Sequence, residues 1–204
     1  DTGRMSSSPT GGATATTGSN RSVASDAITG AAAGAAASLL GYLTVYLTQS
    51  GRIEEGLSGL NFLTELFGGD PISVWQVSGW LFYNAHFVDT VIPAVFGGTQ
   101  SQNLISQAEG ASFLFVVPPV LLLVAGVVAG RVAGADTPVD GARTGAFVLA
   151  GYLPLALVGT FLFRYAVGDG NVAPDIVTAV LLAGAVYPAA FGAVGGAASS
   201  LLSD

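Results

Sequence analysis

The chain has no lysine and no cysteine, and only one histidine in 204 residues. Without lysine there is no G-x-x-x-x-G-K-[ST] phosphate loop and no Schiff-base or lysine-base chemistry. Without cysteine there are no thiol nucleophiles, iron–sulfur clusters, cysteine zinc sites or disulfides. One imidazole cannot build a histidine-rich metal centre, and neither G-x-G-x-x-G nor G-x-S-x-G occurs. Metal sites made of carboxylates alone stay open. No catalytic, cofactor-binding or metal-binding residue can be named, no cofactor is expected, and the chain reads as a non-enzyme.

Charge is also scarce. Only 9% of residues are charged, far below the roughly 25% of soluble domains. The formal net charge is −7, so a nucleic-acid backbone is repelled. What the chain has instead is apolar mass, with 51% hydrophobic residues and a mean hydropathy of +0.64. A soluble fold has too little polar surface here to cover itself, so a lipid bilayer is the expected partner and the cell membrane the expected location.

Four segments are long and apolar enough to cross about 30 Å of hydrocarbon: roughly 26–49, 111–132, 143–165 and 174–202. Helix is their default, because backbone polar groups in lipid must pair within the segment. Start signals agree: Ser25-Asp26 before the first, Asp140 before the third, Pro174-Asp175 at the fourth. The expected fold is all-α, a polytopic transmembrane bundle spanning 26–204, preceded by a disordered Ser/Thr/Gly tail at 1–25. Met5 before "SSSPT" reads as the native start, and the tail does not look like a cleaved signal peptide. Arginine placement puts both termini in the cytoplasm. Arg4, Arg21, Arg131 and Arg143 then lie inside, against Arg52 and Arg164 outside. A fifth span at 72–97 would make the two counts equal, so four are preferred.

The long outer loop, 50–110, carries amphipathic pieces. Over 72–97, Gln76, Gly79, Tyr83, His86, Thr90 and Pro93 recur at helical spacing opposite Val77, Leu81, Val88, Ile92 and Val95. A second amphipathic helix is expected at 56–67. Together they read as interfacial helices or a re-entrant pair. Within the first, "FYNAHFVDT" places His86 one turn before Asp89, a candidate polar relay. The plainer reading, a solvated pair at the interface, is preferred unless the helix dips into the bundle.

Glycines four apart recur as Gly30/Gly34, Gly126/Gly130 and Gly192/Gly196, and "GARTG" repeats the spacing at 141–145. Such faces let helices approach closely in lipid. They predict packing among the chain's own helices first, and docking of other membrane helices or a homo-oligomer second. Pro154 and Pro188 interrupt the third and fourth helices, each shortly after a tyrosine, Tyr152 and Tyr187, and paired breaks of this kind can mark a transporter's site.

Arginine in place of all lysine, acid excess, Ala/Gly/Val/Thr enrichment, the Ser/Thr tail and the four-span layout resemble multi-pass membrane proteins of unassigned function from haloarchaea. That resemblance implies no site residue. Two functions are expected from the residues: a non-catalytic assembly or accessory subunit packing through small-residue helix faces, or a small-solute or proton transport component with a cavity under the 72–97 helix. An intramembrane hydrolase ranks a distant third, since no nucleophile with its base is visible.

Overall fold

The computed structural model describes residues 23–66, 69–94 and 97–202. The expected Ser/Thr/Gly tail up to residue 22, Phe67 at the end of the expected 56–67 helix, and Val95 of the apolar stripe lie outside them. Four helices are long and apolar enough to cross a membrane: Val23–Leu66, Ser112–Val132, Pro138–Leu162 and Ile176–Leu201.

Helix α1 (Val23–Leu66) runs unbroken for 44 residues. Its buried residues, Gly30, Gly34, Ala37, Ser38, Gly41, Val45, Gln49 and Ile53, recur every three or four positions and make one stripe facing the other helices. The expected break near residue 50 and separate helix at 56–67 do not occur. No proline lies in that stretch, and Gly51, Gly56 and Gly59 weaken a helix without stopping it.

Helix α3 (Val117–Val132) follows a 3-10 turn at Ser112–Val116, with Pro118 and Pro119 in its first turn, where a missing N–H costs no hydrogen bond. Helix α4 (Pro138–Ala146) starts five residues before the predicted span, because Thr137 caps it by accepting the Asp140 N–H at 3.1 Å and Pro138 follows. A turn at Phe147 joins it to α5 (Val148–Leu162). The last long helix has three parts: α6 (Ile176–Thr178), a π-helical stretch at Ala179–Val186, and α7 (Tyr187–Leu201).

The helices meet at glycine. A methyl group placed on any of Gly30, Gly34, Gly126, Gly130, Gly192 or Gly196 would stand 1.9–2.6 Å from an atom of a neighbouring helix or of the turn joining α4 to α5. Gly126 faces the Gly192 carbonyl, Gly196 faces that of Gly141, and Gly34 faces that of Val148. These six glycines therefore serve packing within the chain.

The all-α expectation needs one correction. Four short strands form an antiparallel sheet in the order β2-β1-β4-β3: β1 (Thr90–Pro93), β2 (Thr99–Gln102), β3 (Tyr165–Val167) and β4 (Gly170–Pro174). The sheet joins the loop before α3 to the hairpin after α5, and it defines a sheet end of the bundle. The expected helix over 72–97 is in fact α2 (Val74–Asn84), a turn and β1.

Candidate functional site

Helix α2 is buried almost all round: Gln76 and every residue from Ser78 to Asn84 are closed off. The polar stripe expected at an interface or in a re-entrant pair faces protein. Gly79 makes this possible, since a methyl there would meet the Phe163 ring at 2.2 Å.

Going along α2 and into the turn after it, four side chains bond points successively further back along α5 and the two residues that follow it. Gln76 Nε2 donates to the Arg164 carbonyl at 2.8 Å, and Trp80 Nε1 donates to that of Phe163 at 2.6 Å. Tyr83 donates to the Ala156 carbonyl, and His86 reaches the Tyr152 hydroxyl at 2.8 Å. Tyr152 lies ten residues, about 15 Å, inside the end of α5 at Leu162. The helix thus enters the bundle from the sheet end, turns at Ala85–Phe87, and returns as β1.

Asn84 ties the turn. Its side-chain amide donates to the Val88 carbonyl at 2.7 Å and to Thr90 Oγ1 at 3.2 Å, while its Oδ1 accepts the Leu104 N–H at 2.9 Å. Phe87 adopts a left-handed conformation, φ 58°, which completes the reversal. Sequence reading missed Asn84, although a fully buried asparagine closing an apolar helix is the signal of such a knot.

His86 is completely buried. Its Nδ1 lies 2.8 Å from the Phe82 carbonyl, which only accepts, so Nδ1 carries the proton. Nε2 then accepts from the Tyr152 hydroxyl, and the neutral ring is satisfied at both nitrogens. Loss of water pushes its pKa below the ordinary histidine value, only partly opposed by the Phe82 carbonyl. Around it stand the rings of Phe82 (4.9 Å between centroids), Tyr152 (5.7 Å) and Tyr187 (5.2 Å).

The predicted pairing of His86 with Asp89 is not what the structure brings together. Asp89 is half-buried, and its carbonyl accepts the Asp175 N–H at 2.9 Å. The two proline-marked tyrosines, noted separately in sequence, instead converge on His86. Tyr152 precedes Pro154 inside α5, and Tyr187 sits between the π-helical stretch and Pro188, its N–H bonding Leu182 five residues back. Among the described residues, no group of three or more His, Asp or Glu is arranged to hold a metal ion.

At the sheet end α1 continues past the bundle, with Asn61 clasping Ile72 through both its amide and its carbonyl oxygen at 2.9 and 2.8 Å. One face therefore rests on the segment before α2. The rest exposes Leu60, Phe62, Leu63 and Leu66, each by half or more.

A family model matches residues 5–203. The chain belongs to DUF7978, a family of unknown function. No curated protein and no solved structure shows a match to this DUF7978 member.

Proposed function

We propose that this DUF7978 member is a non-catalytic integral membrane protein, with four helices across the bilayer and α2 re-entering from the outer side, acting as an assembly or accessory subunit. The support is the banding of exposed residues along α1. From Ile28 to Leu47 large apolar side chains face outward over about 29 Å, the thickness of the hydrocarbon core. From Thr48 to Gly59 the exposed positions are polar or small. Apolar exposure then resumes at Leu60, Phe62, Leu63 and Leu66, about 20 Å beyond Leu47. Lipid hydrocarbon covers the first band, and the second lies beyond it, so a protein surface is its natural cover. The glycine faces, whose second expected use was docking of partners, are occupied within the chain, so the partner surface is this outer band.

Extraction in mild detergent tests the proposal. A complex that falls apart when Phe62 and Leu63 are both replaced by Gln, with the thermal midpoint unchanged, supports it. A wild-type chain that emerges as a lone monomer overturns it.

One observation favours the second reading, a transport component: His86 sits inside the bundle between tyrosines from two proline-containing helices. Ionisable groups at such depth are usually functional. That reading fails if His86→Ala leaves flux into liposomes unchanged.

A further inference from the structure

A cavity of about 620 Å³ opens at the sheet end between α1, the segment 69–72 and strand β3. Most of its polar groups are engaged by the protein. Gln76 bonds the Arg164 carbonyl and the Ser73 N–H, Tyr165 donates to the Asp70 carbonyl, and Thr64 donates to Leu60. Two are not. The Arg164 guanidinium lies over the Phe161 ring, 4.5 Å from its centroid, and makes no ion pair among the described residues. The Asp70 carboxylate is exposed and likewise has no partner among them. Opposite charges therefore line one cavity without neutralising each other.

A second, apolar groove of about 240 Å³ is lined by Leu39 and Tyr42 of α1, Trp75 of α2, and Leu155, Val158 and Leu162 of α5. The two share no lining residue, but sequence neighbours line one each, Trp75 and Phe163 the groove, Gln76 and Arg164 the cavity. Arg143 lies in the first turns of the span Pro138–Leu162 and Arg164 just past its other end, so a bilayer crossed by this span has one arginine near each edge of its hydrocarbon. Arginine at that level pairs with phosphate through parallel N–H donors.

We infer that the two cavities form one phospholipid site. The phosphate diester sits on Arg164, the head-group alcohol donates a hydrogen bond to Asp70, and one hydrocarbon chain lies in the groove between α1 and α5. The inference rests on the bilayer-crossing part of the reading above.

The test uses the delipidated full chain in a non-ionic detergent, titrated separately with phosphatidylglycerol, phosphatidylcholine and inorganic phosphate. Native mass spectrometry counts bound lipid, and tryptophan fluorescence reports Trp75. One bound phosphatidylglycerol is expected; phosphatidylcholine uses the same phosphate contact with Arg164, its cation in place of a hydroxyl meeting Asp70. Arg164→Gln weakens phosphatidylglycerol about tenfold while leaving the lipid-free thermal midpoint unchanged. Val158→Trp, which fills the groove and leaves the charges alone, weakens it as well. Equal phosphatidylglycerol binding by wild type and Arg164→Gln overturns the inference. So does inorganic phosphate binding as tightly as the lipid, which marks a free-anion site. A chain that stays soluble without detergent contradicts the bilayer reading instead.

Discussion

Where α3 and α4 meet α7, the contact is backbone on backbone: Gly126 and Gly145 each stand against Gly192, and Gly130 against Ser199. Where α2 meets α5, the contact is side chain on backbone, with Gln76, Trp80 and Tyr83 donating to successive carbonyls and His86 held by Tyr152. The first region has no polar side chain at its closest approaches apart from Ser199 and relies on the fit of small residues. The second has a polar group at almost every step and needs each one satisfied. A chain using only the first device makes a tight bundle with no interior chemistry. The second admits an ionisable ring into the same bundle.

The sharpest way to break this contrast is a side chain in the glycine region. Gly192→Val drives a methyl into the Gly145 carbonyl, 2.3 Å from where its Cβ would be, and is expected to cost about 4 kcal/mol or more. Folded yield and thermal midpoint in detergent report it. In the α2 region Tyr152→Phe removes one donor and leaves His86 Nε2 unsatisfied, an expected loss of about 1–3 kcal/mol with the fold retained.

The pH dependence separates the regions further. Because the folded His86 pKa is lowered, its contribution is complete above the unfolded value near 6.5, and it is lost as pH falls and the unfolded chain takes up the proton first. Melting points taken from pH 7.5 to 5 should fall by at most about 1.4 kcal/mol equivalent per unit below that value, and His86→Asn should flatten this part of the curve. The smallest effect is expected outside both regions. Gly56→Ala on the exposed part of α1 meets nothing within 4 Å and should stabilise by about 0.5–1 kcal/mol.

The glycine region was legible from sequence because its rule is local: small residues four apart on one helix face. All four long helices were likewise found from apolar length, with ends shifted by Thr137-Pro138 and by the unbroken α1. The α2 region was not legible. Helical spacing persisted through Thr90 and Pro93 although those residues lie in β1, because the turn is imposed by Asn84, whose partners Val88 and Leu104 come later in the chain. The polar stripe through α2 left an interfacial and a re-entrant placement equally open, because its partners lie on α5 and just past its end, up to 88 residues away. The convergence of Tyr152 and Tyr187 on His86 depends on three helices packing together, which spacing within any one of them does not encode.

Labelling of single cysteines in a chain that has none tests the central claim, that α2 enters the bundle and returns without crossing. Glu55→Cys and Gln100→Cys, both exposed and on either side of α2, should react with a membrane-impermeant thiol reagent from the same face of intact vesicles, while Val139→Cys reacts only from the other. Labelling of Glu55→Cys and Gln100→Cys from opposite faces would contradict the account.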